Sequence, residues 1–148
     1  GVDDDRYHNA VGYHYERFDP IGFDHLVRNG RREYEENREL YDGLLFAEID
    51  RVADWSRAVR LPLHTTEGWA VVDYKDWPGL DWDWVLELNA RAVEYVATKG
   101  RWTGICTSNF CGPQFVGMWR EVEWHRRLTS LIKQAPVDPE LLAPEVAG

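Results

Sequence analysis

Read as a pattern of apolar and polar positions, the chain falls into short stretches of period two separated by longer stretches of period near 3.6. "VGYHYERFDP" alternates, is rich in Tyr and Phe and meets a Pro, which predicts a strand over residues 11–18. From Ile21 onward Phe23, Leu26, Val27, Tyr34 and Tyr41 recur at helical spacing, and Asp42-Gly43 supplies a stop. "LLFAEID", residues 44–50, alternates again, with Leu45, Ala47 and Ile49 on one face and Phe46, Glu48 and Asp50 on the other. "VADWSRAVRL" then predicts a short helix that Pro62 ends.

After the loop "PLHTTEG" the pattern begins again, with a strand over 69–76 in "WAVVDYKDWP". The helix "LDWDWVLELNARAVEYVATKG" has Asp81 as N-cap, an apolar stripe at Trp84, Val85, Leu88, Ala92 and Val96, and a closing Lys99-Gly100. "RWTGICTSN" and "PQFVGMWREV" predict a hairpin around "NFCGP", followed by the short helix "EWHRRLTSLIK". Phe46, Ile49, Arg51, Trp55 and Arg57 match Phe115, Met118, Arg120, Trp124 and Arg126 in order, so both halves read strand, helix, strand, short helix, with one extra strand near "RWTGICTSNFC". The expectation is one domain over 1–148 with an internal repeat, 11–61 and 69–133, and an extended C-terminal arm over 134–148, "QAPVDPELLAPEVAG".

A βαββα unit whose last strand runs into a helix opening with Trp, as in "VGMWREVEWHRRL", resembles the ferredoxin-like units of the dimeric α/β-barrel superfamily, which includes the antibiotic-biosynthesis monooxygenases, the EthD-like proteins and NIPSNAP. The resemblance implies an α+β fold: duplicated ferredoxin-like units whose antiparallel sheets pack as an α/β barrel, helices outside and a cavity between the sheets. No catalytic residue carries over with it, because fold does not fix function.

Composition narrows the partners. The net charge is −9 and the basic residues are scattered among acids, which argues against a nucleic-acid groove or an anionic membrane surface. The apolar runs are far shorter than a spanning helix needs, and the start "GVDDDRYHNAV" lacks the basic and apolar regions of a signal peptide, so a cytoplasmic location is expected. Cys106 and Cys111 do not have zinc-site spacing and read as two reduced thiols or a hairpin disulfide. Eight Trp, seven Tyr and five Phe are the unusual feature, and they suit an apolar cavity or an interface.

With helices on one face of each strand, parity sends the other face into the cavity. That set is Trp69, Val71, Asp73 and Lys75 from one strand, Phe115, Trp119 and Glu121 from another, Cys106 and Ser108 from a third, and Phe46, Glu48 and Asp50 from a fourth. The first strand turns inward either His14, Glu16 and Phe18 or Tyr13, Tyr15 and Arg17. His14 with Glu16 makes an oriented general base or two metal ligands, or else a solvated strand face, and Asp73 with Lys75 is a pair able to place or deprotonate an acidic phenol or enol, or else a rim ion pair. The expected catalytic set is therefore His14, Glu16, Asp73 and Lys75, and the expected substrate contacts are Trp69, Phe46, Cys106, Phe115, Trp119, Glu121 and His64 at the pocket mouth.

These residues predict a small-molecule enzyme acting on an apolar, aromatic substrate by acid/base chemistry: oxygenation, isomerisation, dehydration or cyclisation. No cofactor and no metal site is specified, with haem or a single metal ion as the groups such a cavity would take. The competing reading is a non-catalytic subunit whose Trp-rich surface docks on a larger enzyme; either way a homo-oligomer or a protein partner is expected.

Overall fold

The computed structural model of the protein describes residues 20–66, 68–69, 83–107 and 121–142. The described residues open with two helices, α1 (Pro20–Glu36) and α2 (Arg38–Val59), separated by Asn37 alone. Within α2, Leu45, Phe46, Ile49, Val52, Ala53 and Ser56 recur at spacings of one, three and four, and they form the face turned to the protein. That helical period runs straight through "LLFAEID", so the strand expected over 44–50 is instead helix interior. Asp42-Gly43 does not stop the helix either. Gly43 costs about 1 kcal/mol relative to Ala there, but Asp42 turns inward and is held by neighbours instead of capping. Exposed pairs at three-residue spacing, Glu48 with Arg51 and Asp54 with Arg57, add to the helix rather than to a strand face.

Arg60 adopts the left-handed conformation with φ 59°, and the amides of Arg60 and Leu61 bond back to the carbonyls of Arg57 and Ser56, which ends α2. The strand β1 (Leu63–His64) follows, then α3 (Asp83–Ala97), β2 (Trp102–Gly104), α4 (Val122–Gln134) and a single turn, α5 (Pro139–Leu142). β1 and β2 pair in parallel, Leu63 opposite Trp102 and His64 opposite Gly104, with a slip of register between the two pairs. A parallel pair needs a crossover, and α3 lies within it.

Among the described residues the architecture is thus helices around one short parallel pair, and the expected duplicated, antiparallel ferredoxin-like α/β barrel is overturned. Strand parity misread a helical period at 44–50, and among the described residues of "RWTGICTSN" only three are strand. The strand expected over 11–18 lies outside the described residues, as do residues 70–76 of the one expected over 69–76 and residues 114–120 of the one expected over 114–122, whose last two residues, Glu121 and Val122, cap and open α4 instead. The helices expected from "LDWDWVLELNARAVEYVATKG" and "EWHRRLTSLIK" are present, over Asp83–Ala97 and Val122–Gln134.

α3 is central because it buries two stripes. Val85, Asn89, Ala92 and Val96 form one; Ala90, Val93 and Ala97 form the other, roughly 100° around the helix. Val96 of the first stripe meets Ile49 and Ala53 of α2 and Trp102 of β2, Val85 packs with Trp124 of α4, and Ala90 and Val93 of the second stripe meet the fully buried Leu128 of α4. Each fully buried Val or Leu in such a core contributes about 1.5–3 kcal/mol, and the small residues on the second stripe let α4 approach closely. A polar network ties the helices together on the other side. The buried Asp42 accepts from the Tyr34 hydroxyl at 3.0 Å and pairs with Arg91 of α3, while Arg38 reaches Glu87 at 2.8 Å. Burial, helped by the bond to Asp42, pushes the Tyr34 phenol up to about 12.

Candidate functional site

In a parallel sheet the side-chain groups with freedom to meet a ligand sit at the carboxyl ends of the strands. Here that end is built by continuing the β1–β2 ladder past the strands: Thr65 N–H donates to Gly104 O at 2.9 Å and Cys106 N–H to Thr65 O at 3.1 Å. The Trp102 indole donates to Thr65 Oγ1 at 2.8 Å, fixing the residue after β1. Trp69 is fixed from two directions, its backbone N–H donating to Asn89 Oδ1 at 2.8 Å and its indole to Cys106 O at 2.9 Å. Asn89, wholly buried on the apolar stripe of α3, completes its own bonding by donating to Val85 O at 2.9 Å. The two segments leaving β1 and β2 are therefore locked together by neutral hydrogen bonds.

His64 stands exposed on this end. Its ring lies over Gly104 so closely that a β-carbon there would fall 2.0 Å from Cε1 and 2.2 Å from Nε2.

The opposite, amino end of the pair is closed by Arg101, whose side chain is fully buried. Its guanidinium donates to Ser56 Oγ at 2.9 Å, Ser56 O at 3.1 Å and Leu61 O at 3.4 Å, and pairs with Asp138 at 3.1 Å and with Glu140. Asp138 N–H in turn donates to Gly100 O at 2.8 Å. Gly100 is required there twice over, by its φ of 72° and because a β-carbon would meet Asp138 Oδ1 at 2.2 Å. Beside this clamp, Lys99 lies over the Tyr95 ring and pairs with Asp50, which also accepts from the Tyr95 hydroxyl at 2.8 Å. The Lys99 and Tyr95 hydrogen bonds hold the Asp50 carboxyl below its ordinary range.

Of the residues expected to form a cavity, His64, Trp69 and Cys106 do converge, at the carboxyl end of the strands. Phe46 does not: it is on α2, stacked on Tyr95 with ring centroids 4.1 Å apart. Glu121 is exposed at the cap of α4, where its carbonyl accepts from His125 N–H at 3.0 Å. His14, Glu16, Asp73, Lys75, Phe115 and Trp119 lie outside the described residues. Among the described residues no three His, Cys, Asp or Glu side chains converge as a metal set.

Asn89 and Gly104 were not singled out by the sequence. An Asn within an apolar helical stripe is a legible signal, since a buried amide has to be paired; Gly104 in "WTGICT" carries none beyond its place in a strand. A concavity of about 430 Å³ also runs between α3 and α4, lined by Leu86, Ala90, Arg91, Glu94, Trp124 and Arg127. Its charges are already spoken for, Arg127 by Glu94 and Arg91 by Asp42, and the Trp124 indole donates to Leu86 O at 3.2 Å. The strand end is the better candidate.

Comparison with known proteins agrees with a sugar-related protein and not with an oxygenase. A crystal structure described as that of a "putative glycoside hydrolase" from Parabacteroides distasonis ATCC 8503 is 47% identical and superposes with a TM-score of 0.81, covering 96% of this chain. The chain spans 37% of the length of that structure. No curated protein matches. The likeness to antibiotic-biosynthesis monooxygenase, EthD-like and NIPSNAP units is overturned, and with it the apolar, aromatic substrate: the aromatic residues were read as a cavity lining, whereas Phe46, Trp102 and Tyr95 pack the interior between helices. The family description "sugar-binding cellulase-like" matches residues 2–133, and the chain belongs to that family.

Proposed function

We propose that the chain binds a saccharide at the carboxyl end of the β1–β2 pair and takes part in cleaving its glycosidic bond. One observation carries this reading: in a chain of the sugar-binding cellulase-like family, the strand end opposite the Arg101 clamp is braced by hydrogen bonds and leaves a polar ring, His64, facing solvent. The description of the Parabacteroides distasonis structure supports the cleavage part.

Glycoside hydrolysis needs two carboxyl groups, one protonating the leaving oxygen and the other attacking the anomeric carbon or activating a water. In the sequence Glu67 stands between Thr66 and Gly68, in the segment that follows β1, and Glu67 is the carboxyl we assign to this chemistry. Thr65 and Trp69, two residues to either side in the sequence, are each held by a hydrogen bond.

The test is calorimetric titration of the protein with cellotetraose, xylotetraose and mannotetraose, with chromatography of the products. Binding of at least one saccharide is expected, with shorter sugars released, and Glu67→Gln should stop release while leaving affinity within about threefold, less than one neutral hydrogen bond. No binding across the panel contradicts the reading, and unchanged release by Glu67→Gln contradicts the role of Glu67.

A further inference from the structure

We infer that His64, seated on Gly104, is a specificity-determining residue that hydrogen-bonds a hydroxyl of a neutral saccharide; the inference rests on the saccharide site proposed above. Three observations carry it.

The first is position. His64 is the last residue of β1, and its partner across the ladder, Gly104, is the last of β2. The imidazole thus stands at the rim from which the segments holding Thr65, Trp69 and Cys106 depart, on the side away from the Arg101 clamp.

The second is the seat. Gly104 has no unusual φ, so backbone conformation does not demand a glycine; space does, because the ring fills the volume that a β-carbon would take. An exposed side chain ordinarily samples several rotamers and loses that freedom when it binds. Packing against the strand backbone removes much of this loss beforehand and aims the ring.

The third is unused bonding capacity. Among the described residues neither ring nitrogen of His64 has a hydrogen-bond partner, although the neighbouring polar groups, Thr65 Oγ1, the Trp69 N–H groups and the Asn89 amide, are all engaged. A neutral imidazole offers one donor and one acceptor, which matches a sugar hydroxyl acting as both. The chain's net charge of −9 disfavours an acidic sugar, and the paired donor and acceptor of the ring suit an uncharged hydroxyl.

The experiment compares the full chain with His64→Phe, Gly104→Ala and His64→Gln, reading saccharide affinity by calorimetry, imidazole signals by NMR and the thermal midpoint. His64→Phe keeps a ring of similar size on the seat but removes both nitrogens. It should weaken binding of the preferred tetrasaccharide by about 3- to 10-fold, the size of one neutral hydrogen bond, with the thermal midpoint unchanged. Gly104→Ala keeps the imidazole but displaces it, and should weaken binding by a similar factor while shifting the His64 ring signals in the free protein. His64→Gln, with a donor and an acceptor, should recover part of the loss. If the wild-type chain binds and His64→Phe binds equally well, the inference falls while the saccharide site stands. If the wild-type chain binds none of the three tetrasaccharides, the saccharide site falls and the inference with it.

Discussion

The two ends of the β1–β2 pair use similar groups, side-chain donors meeting oxygens of neighbouring segments, and yet one is sealed while the other is left open. At the amino end the buried Arg101 spends its guanidinium on Ser56, Leu61, Asp138 and Glu140 and so gathers α2, β2 and the turn of α5 around one cation. At the carboxyl end the bonds are neutral, Trp102 to Thr65, Trp69 to Asn89 and to Cys106, and His64 remains outside them. A buried cation surrounded by acceptors cannot be altered without leaving groups unpaired, whereas neutral bonds beneath an exposed ring permit substitution at the ring. Stability is therefore concentrated at one end of the strands, and the proposed recognition at the other.

The largest effect that would sharpen this contrast is Arg101→Met. Removing one member of a buried ionic cluster costs about 3–5 kcal/mol, and urea unfolding should register that loss; a change below 1 kcal/mol would show that the amino end is not the anchor. Asn89→Ala comes next. It leaves the half-buried Trp69 N–H without its acceptor, at a cost of about 1–3 kcal/mol, and it should speed hydrogen exchange at Trp69 and weaken saccharide binding together, since Asn89 supports the open end. Stability loss with binding intact would break the link between Asn89 and the site.

Tyr34→Phe should cost about 1 kcal/mol at neutral pH and leave saccharide affinity unchanged, because the Tyr34–Asp42–Arg91 network lies away from both strand ends. The folded pKa of Tyr34, about 12, is above its ordinary 10.0, so its stabilisation is fully present below pH 10 and is lost as pH rises through about 12. An alkaline titration followed by tyrosinate absorbance and circular dichroism should show one late-ionising tyrosine that is missing in Tyr34→Phe. The smallest effect is that of Asp50→Asn beside the clamp. The carboxyl is held low by Lys99 and Tyr95, so whatever stability it adds is present above the usual carboxylate range and lost as pH falls through the lowered value. The variant should melt slightly lower than the wild type at neutral pH and converge on it in acid, where Asp50 is protonated as well; a difference that persists unchanged at low pH would contradict the assignment.

The helices of the second half were legible because a stripe such as Val85, Ala92 and Val96 is periodic over about three turns. α2 was not, since "LLFAEID" is short enough for alternation and helical spacing to fit the same seven residues, and a Gly before it read as punctuation. The deciding evidence lay further on, at Val52, Ala53 and Ser56, which continue the helical face. Two and three residues are too few to announce a strand, so the parallel pair could not be read from "PLHTTEG" at all. His64, Trp69 and Cys106 were named as site residues from the sequence, although for an antiparallel cavity; what brings them together is the ladder beyond β1 and β2 and the buried Asn89, both products of tertiary pairing.

The central claim, that the saccharide meets the carboxyl end of the strands, is tested most directly by amide hydrogen exchange with and without the saccharide that binds best. Protection is expected at residues 63–66, 68–69 and 104–107, with no change around Lys99 to Arg101 or Ala135 to Asp138. Protection centred on the α3–α4 concavity or on the Arg101 end, with residues 63–69 unaffected, would contradict it.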